Sequence, residues 1–277
     1  MPELPEVETM RRGILPVVGS EIVDVRRAPC KRRPIAIEPR IDRLRRRAAG
    51  NTLSAVERLG KRVVLELSSG SSLVLEPRMT GLVLLADPPT TEHLRLEIEL
   101  DNRQHPRVLF WDRRGLGTVR LYSPAEMESL RTSKLGPDAL AITADQLRER
   151  LSKSSRAVKV ALLDQTVVAG IGNLYAAELL HVAGIDPRTR CDRLSRPQWQ
   201  RIASAIGSVL NEAIKYEGST LSDGTYRNAL NKAGGYQNHH QVYDREGLDC
   251  PRCGAAIQRI VQAQRSTFFC RQCQKKR

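Results

Sequence analysis

The sequence predicts a multidomain α+β chain with a β-sandwich or barrel half behind a single helix, then a helical domain, then a small metal-bound hairpin. Three observations carry that prediction. Apolar and polar residues alternate through the first 125 residues, the period turns helical after Leu135-Gly136-Pro137, and two C-x2-C pairs, Cys250/Cys253 and Cys270/Cys273, stand near the end. Alternation is the mark of a half-buried strand and a 3.6-residue period that of a helix. A length of 277 residues allows one large or two modest domains, and 40% hydrophobic with 27% charged residues excludes wholesale disorder.

The first element is a helix. Pro5 suits a first turn, Val7, Met10 and Ile14 share a face, and Pro16 halts the run. Strands are expected at Ile22 to Val25, Thr52 to Glu57, Val63 to Leu67, Leu73 to Leu75, Leu94 to Leu100 and Gly117 to Leu121, separated by turn residues such as Gly70, Asp87-Pro88-Pro89 and Asp101-Asn102. Thr143-x-x-Gln146 reads as a capping box opening a helix to about Leu151. Further helices are expected at Ala157 to Leu163, at Leu174 to Ala183 with Gly184 as its stop, and at Ser195 to Tyr216. Thr220 to Gly235, rich in Gly, Ser, Asn and Asp, reads as a long functional loop. No run approaches the roughly 18 apolar residues of a membrane helix and the start lacks the pattern of a secretory signal, so a soluble protein of a reducing cytoplasm or nucleoid is expected.

Sixteen residues separate the two cysteine pairs, a spacing that says zinc rather than disulfides. Four thiolates close a tetrahedral site and leave no position for a catalytic water, so the zinc is structural, holding short strands around Ile257 to Val261 and Phe268-Phe269. Cys30 and Cys191 have no partners at useful spacing and read as ordinary thiols.

Charge points to the partner. Forty-five Lys and Arg against 31 Asp and Glu give +14, the balance of a protein that meets a polyanion. Ten of these cations fall between Arg26 and Arg47 against only Glu38 and Asp42. Ile41 and Leu44 make the second half an amphipathic helix with Arg43, Arg45, Arg46 and Arg47 outward, a patch for long-range steering. Arg265, Arg271, Lys275, Lys276 and Arg277 make the zinc hairpin basic and suited to phosphate contact.

The amino terminus is itself a chemical group. Removal of Met1 before the small Pro2 would leave a free secondary amine, and an α-amino group titrates at about 8, well below a lysine. Condensed with an aldehyde, it gives an iminium that stays cationic and can draw electrons from the neighbouring carbon to drive β-elimination. Glu3 and Glu6 stand beside it as candidate proton carriers.

Together, Pro2-Glu3-Leu4-Pro5-Glu6-Val7-Glu8-Thr9, Gly170-Ile171-Gly172-Asn173-Leu174-Tyr175-Ala176-x-Glu178 and Gln264-Arg265-Ser266-Thr267-Phe268-Phe269-Cys270-x2-Cys273 resemble the Fpg/Nei family of DNA glycosylases, from one end of the chain to the other. The resemblance implies an N-terminal β-sandwich (1–135), a linker and start of the helical domain (136–150), a helix-two-turn-helix domain with a lesion-capping loop (151–235) and a β-hairpin zinc finger (236–277). It implies a monomeric base-excision-repair enzyme acting on double-stranded DNA with oxidised bases or abasic sites, a glycosylase and AP lyase with one structural Zn2+ on Cys250, Cys253, Cys270 and Cys273. By the same resemblance Pro2 is the nucleophile, Glu3 the general acid/base, Glu6 a supporting carboxylate, and Lys61 a catalytic-site lysine that contacts phosphate beside the lesion. Asn173, read as the N-cap of its helix, and Arg265 would also grip phosphate, while Met79, Arg114 and Leu116 would fill the space left by the flipped nucleotide. Leu116 departs from the aromatic wedge usual in the family pattern, within Asp112-Arg113-Arg114-Gly115-Leu116-Gly117. Leu4 favours the branch that removes oxidised purines, 8-oxoguanine and formamidopyrimidines. The alternatives are an endonuclease VIII-like enzyme for oxidised pyrimidines and a non-catalytic damaged-DNA binding protein.

Overall fold

The structure is a computed structural model that describes residues 2–275, so Met1, Lys276 and Arg277 of the reading above lie outside the described residues. The chain divides into two compact units, one of residues 1–131 with 216–235 and one of 132–215 with 236–277.

In the first unit, helix α1 (Leu4–Gly13) precedes two sheets. The four-stranded sheet runs β1 (Ile22–Arg27), β7 (Leu94–Leu100), β8 (Arg107–Asp112), β6 (Gly81–Leu84). The five-stranded sheet runs β2 (Ala36–Glu38), β9 (Thr118–Tyr122), β5 (Ser72–Glu76), β4 (Arg62–Leu67), β3 (Leu53–Leu59). All pairs are antiparallel except β2 with β9. Val7 and Met10 of α1, Val25, Ile98 and Phe110 of one sheet and Val63, Leu65 and Leu75 of the other share one core, which makes the unit a sandwich. Helix α2 (Ile41–Ala48) lies between β2 and β3 in the chain and buries Leu44 and Ala48. Helix α3 (Pro124–Ser133) lays Met127 and Leu130 on Val64 and Val74, the outer side of the five-stranded sheet.

Four elements of this unit escape the alternation pattern. β2, three residues long and largely exposed, is too short to show a period. β6 and β8 are buried along nearly their whole length, so their residues read as continuous apolar runs, as strands covered on both faces do. Helix α3 shows too little apolar face to be told from a loop.

The second unit holds α4 (Ala144–Leu151), α5 (Val158–Leu162), α6 (Asn173–Ala183), α7 (Arg196–Lys215) and the hairpin β10 (Gln258–Gln262) and β11 (Arg265–Phe269). The expected capping box is formed: Gln146 N–H donates to Thr143 Oγ1 at 3.2 Å and Thr143 N–H to Gln146 Oε1 at 2.9 Å. Gly184 takes the left-handed conformation that ends α6, with φ of 66°. Helices α6 and α7 pack together, and Tyr175 and Leu179 of the first and Trp199, Ile202 and Leu210 of the second are buried. No helix of the described residues is long and apolar enough to cross a membrane.

One placement differs from the domain division read from the sequence. Residues 216–235, grouped there with the helical domain, belong with the sandwich, because Tyr226 and Ala229 enter its core and Leu85 N–H donates to Ala229 O at 2.9 Å. The segment is irregular as expected, yet its neck is closed by Gly235 N–H donating to Tyr216 O at 2.8 Å.

Candidate active site and nucleic-acid interface

Pro2 and Glu3 are buried in the extended stretch that leads into α1, with Glu3 at its N-cap. Glu6, three residues on, reaches back so that Oε2 accepts the Glu3 N–H at 2.9 Å, the return arm of a capping box. Its other oxygen accepts the Ser219 N–H at 2.8 Å. The carboxylate is thereby fixed by two backbone donors, one from its own helix and one from the 216–235 loop. Gly218 makes room for it: φ is +76°, and a Cβ there would stand 2.7 Å from Glu6 Oε1. Beneath, Tyr226 donates its hydroxyl to Glu217 O at 2.9 Å, and burial, with Glu6 nearby, pushes its pKa well above the ordinary tyrosine value, so it stays a donor. A small cleft opens over this floor, lined by Pro2, Met79, Thr80, Ser219, Asp223 and Thr225.

The Lys61 turn is tied to the same helix. Glu8 accepts from Arg11 Nη2 at 2.9 Å, Arg12 Nε at 2.7 Å and Arg58 Nε at 3.1 Å, and Arg58 also donates to Gly60 O at 3.1 Å. Burial works against the charge of Glu8, but the bonds from Arg11 and Arg12 and the charge of Arg58 hold its pKa below the ordinary carboxylate value. An ion cluster thus fixes the turn that carries Lys61 against α1.

Arg114 and Leu116 sit on the β8–β9 turn, whose organiser is Asp112. This fully buried carboxylate accepts the Gly117 N–H at 2.7 Å, the Arg114 N–H at 3.2 Å and the Thr80 hydroxyl, and Thr80 lies next to Met79. Met79 is 37% exposed, Arg114 exposed and Leu116 half-buried. Two separate loops are thus joined through one buried anion.

In the second unit, Asn173 proves to be the first residue of α6; Gly172, extended at φ −127° and ψ −162°, holds the N-cap. The expected capping role is corrected for a physical reason, since the Asn173 amide is recruited elsewhere. Its Nδ2 donates to Ser266 O at 3.0 Å and its Oδ1 accepts from Lys159 Nζ at 2.6 Å. Lys159 is fully buried and also donates to Thr267 Oγ1 at 2.8 Å, so one ammonium ties Asn173 to the strand that begins with exposed Arg265. Glu178, on the same helix, is fully buried and accepts the N–H groups of Gln241, Val242 and Tyr243 at 2.8, 3.0 and 2.7 Å, anchoring the segment that leads to the cysteines. Burial raises its pKa against those three bonds.

The four cysteine sulfurs all lie within 4.8 Å of one another, with Cys250 to Cys273 at 3.9 Å and Cys253 to Cys270 at 3.4 Å. Zinc–sulfur bonds of about 2.3 Å at tetrahedral angles put sulfurs about 3.8 Å apart, so the set fits one structural Zn2+. His181 Nε2 is 3.4 Å from Cys250 Sγ, and burial pushes its pKa down to about 4. Cys30 and Cys191 stand apart from this cluster, and burial pushes the Cys191 thiol up to about 11.

Sequence reasoning missed Lys159 and Gly218, and quoted Asp112 and Glu178 without a role. A charged residue in a sequence looks solvated; nothing local shows that Asp112 and Lys159 are interior.

Comparison with known proteins decides the family. The model described as "Formamidopyrimidine-DNA glycosylase N-terminal domain" matches residues 1–119, "Formamidopyrimidine-DNA glycosylase H2TH domain" residues 135–225, and "Zinc finger found in FPG and IleRS" residues 247–276. The chain belongs to the formamidopyrimidine-DNA glycosylase family. It is a DNA glycosylase of base excision repair, with an H2TH domain and a zinc finger. Formamidopyrimidine-DNA glycosylases of Chloroflexus aggregans and Azorhizobium caulinodans are 40% and 36% identical, over 99% of this chain and 98% and 100% of theirs. Among solved structures, a Lactococcus lactis FPG mutant with DNA containing Fapy-dG aligns with a TM-score of 0.88 at 34% identity, and L. lactis Fpg with DNA containing an abasic site with 0.88 at 33%. Each alignment covers 99% of this chain and 100% of the other.

Proposed function

We propose that this glycosylase excises oxidised purines, 8-oxoguanine and formamidopyrimidines, from duplex DNA and then cuts the strand by β,δ-elimination through a Schiff base on Pro2. The observation that carries the reading is the cleft: Pro2 lines it, buried Glu3 adjoins it in the chain, and Glu6 is clamped behind by two backbone N–H bonds. With Met1 removed, the Pro2 nitrogen lone pair forms a bond to C1′ as the glycosidic bond breaks and its electrons leave with the base. Glu3 donates a proton to the sugar ring oxygen, the ring opens, and the iminium forms. The electron sink then acidifies C2′; its proton goes to a carboxylate, the C3′–O bond breaks, and the 3′ phosphate departs. A second elimination releases the 5′ phosphate, and water returns the Pro2 amine.

The other residues act by binding. Lys61 on its clamped turn, Asn173 and Arg265 take backbone phosphates, Arg265 by a two-pronged guanidinium contact. Met79, Arg114 and Leu116 fill the helix when the damaged nucleotide is extruded, which chemistry at C1′ requires. The 216–235 loop covers the extruded base, and the enzyme works as a monomer on the bacterial nucleoid.

Borohydride trapping tests the reading, on duplexes carrying 8-oxoguanine opposite cytosine or an abasic site, with wild type, Pro2→Gly and Glu3→Gln. An adduct on both duplexes that Pro2→Gly loses, and that Glu3→Gln forms only on the abasic duplex, is expected, since a free aldehyde needs no ring protonation. A wild-type adduct on the abasic duplex alone would move the base specificity to other lesions such as oxidised pyrimidines. No adduct on either would sink the catalytic reading.

A further inference from the structure

Three cations of the basic segment between Arg26 and Arg47 are neutralised by close ion pairs. Arg26 pairs with Glu97 at 2.7 Å and Glu99 at 3.1 Å, Arg32 pairs with Glu92, and Arg45 pairs with Asp24 at 2.5 Å. Arg43 and Arg46 carry no ion pair among the described residues, and Arg40 meets only Asp42, at 3.9 Å, with 93% of its side chain exposed. Arg40 is the N-cap of α2, and Arg43 and Arg46 follow at steps of three residues, about 4.5 Å along the helix axis, with Leu44 and Ala48 on its buried side. With Pro39 and Asp42 the three arginines line a recess of about 360 Å³. Arg27, Lys31, Arg33 and Arg47 also carry no ion pair among the described residues, but it is Arg40, Arg43 and Arg46 that converge on a common recess.

The C-terminal end of this helix is away from the cleft. Gly81 pairs with Asp112, and Leu94 with Trp111, at the end of the four-stranded sheet beside Met79 and Arg114. Helix α2 leads instead to the other end, where Gly50 N–H, just past it, donates to Ile22 O and Ile22 pairs with Leu100. Leu94 and Leu100 are six residue steps apart along β7, about 20 Å of strand.

We propose that the Arg40, Arg43 and Arg46 face of α2 is a second DNA site, which takes the phosphate backbone of a duplex segment other than the one engaged at the Pro2 cleft. Guanidiniums fit phosphate oxygens in pairs, and three of them on one short helix match consecutive phosphates along a groove edge rather than a single small anion. Asp42 within the recess works against an isolated phosphate and less against a polyanion held from outside it. Such a site lets the enzyme hold one duplex while sampling another. No base contact is involved, so it is blind to sequence and damage.

The test is stoichiometry. Zinc-loaded full-length protein is titrated with an undamaged duplex of about 14 base pairs at low salt and the complexes are sized by sedimentation. Wild type is expected to take two duplexes, R40S/R43S/R46S one, and R40K/R43K/R46K two. The second step should show a log–log salt slope of about −2.7, which is roughly 40-fold weaker binding at 200 mM than at 50 mM salt. Circular dichroism and lesion cutting on a short duplex should be unchanged in the serine variant. A single duplex on wild type, or two on the serine variant, would overturn the proposal. Failure to cut damaged DNA, with two duplexes still bound, would count against the proposed function and leave this site standing.

Discussion

Gly218→Ala is a one-methyl test of the active-site floor. The new Cβ would lie 2.7 Å from Glu6 Oε1 and 2.9 Å from its Cγ, on a backbone at φ +76°. Left-handed geometry costs a non-glycine residue about 1 kcal/mol. The contact itself cannot be absorbed by a floppy side-chain end, because the carboxylate is pinned by Glu3 N–H and Ser219 N–H. Either the loop lifts or Glu6 moves, and both break the Ser219 bond, worth about 2 kcal/mol for a charged acceptor. The sum, about 3 kcal/mol, corresponds to a fall in melting temperature of roughly 6–12 °C for a domain of this size. If the lost bond also sets the position of Glu6 in the transition state, single-turnover excision slows about 30-fold. Thermal unfolding and single-turnover cutting read the two effects, and the Glu6→Ala background isolates the cause: with the carboxylate gone, the cost of Gly218→Ala should shrink by about 2 kcal/mol. Equal cost in both backgrounds, or a variant indistinguishable from wild type, would refute the account of how Glu6 is held.

Two further outcomes follow from the site. Glu8→Gln should destabilise the protein by about 2 kcal/mol at neutral pH, since Glu8 is charged and bonded in the folded state. Its folded pKa lies below the ordinary 4.5, so the stabilisation is fully present above 4.5 and is lost as pH falls through the lower folded value; urea unfolding across an acid titration should show the difference from wild type closing below 4.5, and a gap that instead widens on acidification would contradict it. Stripping zinc should abolish DNA binding while the far-ultraviolet signal of the sandwich persists, because the sandwich core of Val7, Val63, Phe110 and Tyr226 includes no residue of the cysteine cluster; tight binding by metal-free protein would count against Arg265 as a phosphate ligand.

What could be read in the sequence was what has a local signature. Thr143 and Gln146 announced a helix start because the capping box is a contact between neighbours in the chain, and Gly184 a helix end because only glycine takes the left-handed residue there cheaply. The cysteines declared their site by spacing. What could not be read lay in contacts between distant residues. Trp111 and Phe110 gave no alternation because β8 is covered on both faces, and Asn173 looked like a cap until Lys159 and Ser266, remote in sequence, claimed its amide.

Three residues whose roles do not show in the sequence act in one physical way, and it explains why the exposed ones could be recognised without them. Asp112, Lys159 and Glu178 are each fully buried charges. Each gathers donors or acceptors from different segments: the Thr80 hydroxyl with the Arg114 and Gly117 N–H groups, Asn173 with Thr267, and the three N–H groups of 241–243. A buried charge is costly alone and strongly destabilising to uncouple, so each one fixes the relative position of the segments it joins. The side chains proposed to meet DNA, Met79, Arg114, Asn173 and Arg265, lie on those segments within one or two residues of the atoms held. Within each unit these side chains are therefore preorganised from below by interior ions while they themselves stay exposed or partly exposed, and their motif residues carry the recognisable signal.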